Sequence, residues 1–242
     1  MERLRVSELR TVLHVAPHPD DELLGAGGAL AALAGAGARV VNLLCSLGRP
    51  EQHERRAREA RAACAAIGFD LMTVDPSIAL SSSDNLDIAQ SIATAEILDA
   101  LNRVQPDAVV GPHEFDGHHA HEVVARGVRD AVEATGSSIP WLSWGLWSDL
   151  RRPTLYFGYS NQTMQRVATA LREYAGELAR NGYTDLLPAR ARAFAVLGSE
   201  RVFGFGSPSA SDLPYADLLT ERRVVAGEWV YGPATLVTDE RP

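Results

Sequence analysis

The chain has 242 residues, of which 46% are hydrophobic, and a formal net charge of -8 at pH 7. This length is enough for one domain with a closed hydrophobic core, so we expect a single domain over residues 1–242. We expect no nucleic-acid partner, because phosphate backbones are bound by basic patches and the sequence contains none. All 23 basic residues are arginine, which excludes mechanisms that depend on a lysine amine, such as Schiff-base catalysis.

Cys45 and Cys64 have no second cysteine at the spacing of a metal site, and we interpret both as buried free thiols. The longest uncharged run, residues 23–38, is rich in glycine and too short for a membrane span. Because no signal-type stretch opens the sequence, we expect a cytoplasmic protein with no membrane partner. The sequence leaves open whether the chain forms a homo-oligomer.

Hydrophobic periodicity and turn residues predict alternating strands and helices along the first part of the chain. The predicted strands are residues 11–16, 39–46, 70–74 and 107–110, and the predicted helices are residues 22–35, 51–68, 87–104 and about 119–134. Such alternation predicts an α/β fold, with a Rossmann-like, mostly parallel sheet and helices on both faces. Ligands of this fold class bind beyond the carboxyl ends of the strands, where both polar clusters of this chain lie.

The first polar cluster is the sequence Ala-Pro-His-Pro-Asp-Asp-Glu, directly after the first predicted strand. His18 and the carboxylates of Asp20, Asp21 and Glu22 are costly to bury unless a cation or a reaction uses them. We therefore expect these side chains to bind a divalent metal ion. Asp21 and Glu22 alone would be explained as the first turn of a helix, where negative charge is favourable, but the neighbouring His18 favours the metal.

The second polar cluster surrounds the start of the last predicted helix. Within it, His118 and His121 are three residues apart and share one helix face, so both imidazoles can point at one site. We interpret His113 and His119 as solvated loop residues, although His113 could line the mouth of the site. His14, on the first strand, is expected to be a hydrogen-bonded core residue without a functional role.

Taken together, the two clusters resemble the motifs of a known protein family. His18-Pro-Asp-Asp-Glu22 after the first strand, with His118-x-x-His121 after a later one, resembles the LmbE/PIG-L family of zinc-dependent N-acetylglucosaminyl deacetylases. The stretch Arg56-x-x-Glu59, in an alanine-rich segment, is also similar to the family's helix after the second strand. The likeness is concentrated in residues 1–135.

By position, the resemblance implies a site for Zn²⁺, or for another divalent metal, with three protein ligands: His18, Asp21 and His121. It implies that Asp20 is the general base toward the attacking water and that a protonated His118 stabilises the tetrahedral oxyanion. Whether Asp20 or His118 delivers the proton to the leaving amine stays open. Arg56 is implied as a contact to the substrate.

Two departures from the family pattern concern His118. The family usually has His-Pro-Asp-His where this chain has His118-His-Ala-His121, so an aspartate that could orient the first histidine is missing. Some members place a tyrosine two residues before that histidine, and here the residue is Asp116. Its carboxylate cannot assist an oxyanion unless it is protonated.

Residues 136–242 are expected to form the substrate pocket and a capping region of the same domain. Trp141, Trp144 and Trp147 lie in this part, three residues apart. They could form a sugar-stacking surface or belong to the core, and we favour a strand whose tryptophans are partly buried at the edge of a cleft.

The glycine-rich stretch Gly25-Ala-Gly-Gly28 raises the alternative of a dinucleotide site. The spacing does not fit, because Leu30 stands where the third glycine of that fingerprint belongs, and the preceding carboxylates would repel a pyrophosphate. We expect these glycines to permit close packing of a helix on the sheet.

These features predict zinc-dependent hydrolysis of an N-acyl group, foremost an N-acetyl group, from an amino sugar or a glycosylated small molecule. The expected partner is therefore a small-molecule substrate. Two alternatives stay open: an amidase for a thiol conjugate of the mycothiol type, and a carbohydrate-binding homologue that has lost turnover.

Overall fold

The computed structural model describes residues 4–239, and their strands form one mixed sheet. The order across the sheet is β3-β2-β1-β4-β5-β7-β6-β9, and β8 pairs with β7. The strands are β1 Thr11–Ala16, β2 Arg39–Leu44, β3 Asp70–Thr73, β4 Ala108–Pro112, β5 Trp141–Trp144, β6 Leu155–Tyr159, β7 Tyr215–Val225, β8 Glu228–Tyr231 and β9 Thr235–Thr238. Strands β1 to β5 are parallel, whereas β7 runs antiparallel to its neighbours β5 and β6.

The helices alternate with the strands as the sequence predicts. They are α1 Asp21–Leu24, α2 Gly27–Gly35, α3 His53–Ile67, α4 Leu86–Val104, α5 His119–Ala134, α6 Asn161–Leu171, α7 Ala175–Leu178 and α8 Tyr183–Phe203. The helix predicted over residues 22–35 is in fact two helices, because the chain leaves helical geometry at Ala26. Helix α3 ends where predicted, at Gly68, whose φ of 88° is the left-handed conformation that glycine adopts without strain.

Helices cover both faces of the sheet, as the alternation of buried side chains along β1 illustrates. Val12 and Ala16 belong to one hydrophobic core, with residues of α2, α3 and α6. Leu13 and Val15 belong to the other core, with residues of α4 and α5. Successive side chains of a strand point to opposite faces, so a strand buried on both sides is mostly apolar along its whole length. The expected single-domain α/β fold is confirmed.

The glycines after β1 permit close packing, as predicted. A Cβ atom at Gly25 would lie 2.5 Å from the ring of Trp144, and one at Gly28 would overlap the ring of Tyr159. Both distances are far below van der Waals contact, so only glycine fits at these positions. This contact seats the first helical segments directly on β5 and β6.

The three tryptophans have different surroundings. Trp141 and Trp144 are fully buried, one in each core, because β5 lies inside the sheet between β4 and β7. The expectation of partial burial at a cleft edge is therefore wrong for these two. Trp147, in the loop after β5, is 57% exposed.

Other expectations from composition concern the thiols and the membrane. Cys45 and Cys64 are free and buried, as predicted. No helix within residues 4–239 has the length and apolar character needed to cross a bilayer.

Candidate active site

The two polar clusters meet at one edge of the sheet. The first follows β1, and the second follows β4 and continues into the start of α5. Because β1 and β4 are adjacent and parallel, the loops at their carboxyl ends lie side by side. The topology thus brings together residues that are about a hundred positions apart in sequence.

His18, Asp21 and His121 converge, and one ligand atom from each lies within 4.8 Å of the other two. Oδ2 of Asp21 is 3.3 Å from Nδ1 of His18 and 3.3 Å from Nε2 of His121. The backbone N–H of His18 also donates to that oxygen, at 2.8 Å. Asp21 and His121 are buried and His18 is partly exposed, so the group faces solvent on one side.

This geometry fits a small divalent cation. Two imidazole nitrogens and one carboxylate oxygen are a donor set that zinc prefers. Ligand atoms about 2.0–2.1 Å from a tetrahedral ion are roughly 3.3–3.5 Å apart. The two separations of 3.3 Å at Asp21 match that spacing.

His121 is held by Asp116, which in the sequence stands out only as a departure from the family pattern. Nδ1–H of His121 donates to Oδ2 of Asp116 at 2.7 Å, which leaves Nε2 facing Asp21 and His18. Gly117, with φ of 83°, turns the chain so that Asp116 reaches the first turn of α5. A carboxylate behind a metal-binding histidine fixes the ring and raises its basicity.

The charged groups around the centre shift one another's pKa values. Burial alone would raise the pKa of Asp21, but His121 and His18 outweigh it and hold that pKa far below its ordinary value. Burial likewise opposes the charged form of His121, yet the carboxylates of Asp21 and Asp116 raise its pKa to about 10. The cluster therefore favours a positive charge at its centre, which is a further property expected of a cation site.

Asp20 lies beside this centre in an unusual backbone conformation. Its φ is 96°, a left-handed conformation that is uncommon outside glycine, and its side chain is buried. Burial and the neighbouring carboxylates Asp21 and Glu22 raise the pKa of Asp20, and Arg56 acts in the opposite direction. Strained backbone of this kind is concentrated at functional sites.

Arg56 is buried in α3, and its guanidinium is already engaged. Nε donates to Oε1 of Glu177 at 2.9 Å, and Nη1 donates to the carbonyl oxygen of Leu47 at 3.0 Å. The structure thus places Arg56 near Asp20 but anchors it to α7. No local sequence pattern marks Glu177, which is 121 residues away.

His118 lies against the two candidate histidine ligands. Its ring centroid is 5.3 Å from that of His18 and 4.7 Å from that of His121. Burial and the neighbouring imidazoles lower the pKa of His118 to about 4. Both effects disfavour a positive charge on this ring, and protonation of His118 during the reaction stays a prediction.

Three other histidines near the site are held by hydrogen bonds within the protein. His14 is fully buried between Asn42, 2.8 Å away, and the indole N–H of Trp144, as predicted for a core residue. His113 is expected from the sequence to be solvated, but it is buried, with Phe115 of the loop after β4 and Ser148 of the loop after β5 against its ring. His119 is only partly exposed, and its Nε2–H donates to the carbonyl oxygen of Leu80 at 2.8 Å.

Glu22 is not a simple cap of α1. It is fully buried, and the hydroxyl of Tyr174 donates to its Oε1 at 2.5 Å. Burial raises the pKa of Glu22 to about 7. Glu22 thus ties the first cluster to the segment between α6 and α7.

The fold and the site define an α/β protein with a candidate metal centre of two histidines and one aspartate at the carboxyl edge of its parallel strands. Residues 13–132 match the family model described as PIG-L: GlcNAc-PI de-N-acetylase, and the chain belongs to this PIG-L (LmbE-like) family. No curated protein matches the chain.

Solved structures of similar fold include proteins of different activity. GalB, the 4-carboxy-2-hydroxymuconate hydratase from Pseudomonas putida, is 19% identical with a TM-score of 0.66, covering 88% of this chain and 95% of its own. The A40926 pseudoaglycone deacetylase Dbv21 is 17% identical with a TM-score of 0.66, covering 93% and 98%. The N,N'-diacetylchitobiose deacetylase from Pyrococcus horikoshii is 13% identical with a TM-score of 0.60, covering 88% and 84%. At these identities the likeness establishes the fold.

Proposed function

We propose that this protein is a metal-dependent hydrolase that removes an N-acyl group, foremost N-acetyl, from an amino sugar or a glycosylated small molecule. The observation that carries the proposal is the convergence of His18, Asp21 and His121, with Asp20 and His118 beside them. Family membership and the two deacetylases of the same fold support the choice of reaction.

His18, Asp21 and His121 would hold the cation, with zinc the first choice for this donor set. When bound, the ion supplies Lewis-acid chemistry: it polarises the amide carbonyl and makes water a stronger acid. Asp116 keeps Nε2 of His121 directed at the site through its hydrogen bond to Nδ1.

Asp20 is the proposed general base. Its carboxylate takes one proton from the attacking water as the water oxygen bonds to the acyl carbon. When the C–N bond breaks, the leaving amine needs a proton. Asp20 holds one at that point, so it can complete the cycle without a second protonated group, although His118 stays an alternative donor.

His118 is proposed to stabilise the oxyanion by donating a hydrogen bond from its ring N–H. A positioned hydrogen-bond donor stabilises the charge that develops in the transition state. Arg56 is proposed to contact the substrate from the Asp20 side. Since its Nε and Nη1 are engaged by Glu177 and Leu47, such a contact would fall to Nη2.

Residues 136–242 are proposed to complete the substrate pocket. The segment after β5 brings Trp147 next to His118, at a ring-centroid distance of 5.9 Å. Phe115, from the loop after β4, is also exposed at this edge of the sheet. Aromatic surface beside a few polar groups is typical of a small-molecule site.

The test is amine release, detected by an amine-reactive fluorophore, from a panel of N-acetylated sugars, their glycosides and a thiol-conjugate amide. The chain has no lysine, so background from the protein is small. We expect chelator-sensitive release of an amine from at least one sugar substrate. Release from the thiol conjugate alone would favour the amidase alternative, and bound metal with no release would favour the non-catalytic alternative.

A further inference from the structure

Two aromatic rings lie nearly parallel to the imidazole of His118. The ring of His119 is 4.7 Å away between centroids, with an interplanar angle of 19°. The indole of Trp147 is 5.9 Å away, at 29°. Offset stacking of this kind is a favourable arrangement of aromatic side chains.

Contacts with neighbouring rings, and not a hydrogen bond at Nδ1, restrain this imidazole. Nδ1 of His118 is buried and has no hydrogen-bond partner among residues 4–239. His121 differs, because Asp116 fixes its Nδ1 by a hydrogen bond. An imidazole without such a bond can rotate about its side-chain torsions unless its neighbours block it.

The two stacking residues are themselves held in place. His119 is fixed by the hydrogen bond from its Nε2–H to the carbonyl oxygen of Leu80, at 2.8 Å. The backbone N–H of Trp147 donates to Oδ1 of Asp116 at 3.2 Å. Asp116 thus connects the Trp147 loop to His121, the candidate metal ligand.

Core packing does not explain the position of the Trp147 side chain. More than half of its surface is exposed, whereas Trp141 and Trp144 are fully buried. An indole held at the surface by its backbone, and parallel to an imidazole in the site, indicates a local function there.

We propose that Trp147 and His119 are positioning residues that hold the His118 imidazole by stacking in the orientation the reaction needs. This inference rests on the proposed function, in which His118 donates a hydrogen bond to the oxyanion. A small misplacement of such a donor lowers kcat, while substrate binding is unaffected.

The experiment compares three variants with the wild-type enzyme. Trp147→Phe keeps an aromatic face, Trp147→Leu removes it, and His119→Gln removes the other ring but keeps a donor for Leu80. Tyr231→Leu is the control, since it changes an exposed aromatic side chain of β8 beside the amino end of β5, away from the site. The two readouts are the NMR resonances of the His118 ring, which neighbouring rings shift, and kcat and KM on the best substrate of the panel.

We expect Trp147→Leu and His119→Gln to move the His118 resonances and to lower kcat by about ten- to a hundredfold at nearly constant KM. Trp147→Phe should restore most of kcat, and Tyr231→Leu should change neither readout. Unmoved His118 resonances in Trp147→Leu would overturn the proposal. A raised KM with unchanged kcat would also overturn it, because Trp147 would then be a substrate contact.

The NMR readout separates this inference from the proposed function. If the wild-type protein releases no amine from any compound, the proposed reaction fails while the His118 resonances still report the stacking. If amine is released and the resonances are unchanged by both substitutions, the reaction stands and the positioning inference fails.

Discussion

The two oxygens of Asp116 contact two different parts of the site. Oδ2 accepts the 2.7 Å hydrogen bond from Nδ1 of His121, and Oδ1 accepts one of 2.6 Å from the backbone N–H of Leu146. One side chain thus orients a candidate metal ligand and fixes the loop after β5. The hydrogen bonds and the adjacent imidazoles outweigh burial and lower the pKa of Asp116 to about 2, so it is ionised at neutral pH.

Asp116→Asn is therefore expected to weaken metal binding. The amide keeps the shape of the side chain but loses the charge that raises the basicity of His121, which typically costs about 10–100-fold in affinity. Competition with a fluorescent chelator measures the change. Asp149→Asn is the control, because Asp149 is an exposed carboxylate on the neighbouring loop. Equal affinity of wild type and Asp116→Asn would refute the assigned role.

Asp20→Asn is expected to keep metal and lose turnover. Asparagine tolerates a positive φ better than most residues, so the backbone at φ 96° is retained. Loss of a general base lowers kcat by about 10²–10⁴-fold. The measurement is amine release at matched metal content. Activity within a fewfold of wild type would remove Asp20 as the base.

Gly28→Ala is expected to destabilise the fold, because the added Cβ would overlap the ring of Tyr159. Overpacking of this kind costs about 1–3 kcal/mol, which urea unfolding resolves. Gly182→Ala is the control, since a Cβ at Gly182 meets no heavy atom within 4 Å. An equal loss of unfolding free energy in Gly28→Ala and Gly182→Ala would argue against the close packing of α2 on β6.

The pH dependence of stability is expected to report the protonation of Asp217. This residue is buried, and it lies far along the chain from the candidate metal ligands. Burial raises its pKa to about 6, although the N–H of Ala29 and the hydroxyl of Tyr159 donate to it. Between the unfolded-state pKa of about 4 and this value, only the folded state binds the proton. The contribution of Asp217 therefore favours folding at low pH and is lost as the pH rises through about 6.

Asp217→Asn removes that proton linkage. From pH 4 to pH 7, the free energy of unfolding of the variant should rise relative to wild type, by up to about 2–3 kcal/mol. Urea unfolding of both proteins at the two pH values gives the difference in their free energies of unfolding. The contributions of the other titrating groups cancel in this difference because both proteins share them. A difference that does not change with pH would contradict the raised pKa.

The parallel half of the sheet could be predicted from sequence because its signals are local. Buried strands such as β1 and β4 are short apolar runs, and α5 begins and ends at the predicted residues, His119 and Ala134. The convergence of His18 and His121 could also be predicted from the sequence, because adjacent parallel strands end at the same edge of the sheet.

The remaining features depend on contacts between distant parts of the chain. Trp141 and Trp144 are buried because β7, more than 70 residues later, pairs with β5 and completes the sheet. Arg56 is anchored by Glu177 of α7, and no local pattern marks that pair. Asp116 had a local signal, a carboxylate just before a glycine and a histidine-rich turn, but its partner depends on the rotation of α5.

The central claim is that His18, Asp21 and His121 form a metal centre, and metal content per chain tests it most directly. After loading with zinc and desalting, wild type and His118→Ala are expected to hold one ion per chain by elemental analysis, and His121→Ala none. One ion retained by His121→Ala, or its loss from His118→Ala, would contradict this assignment of the two histidines.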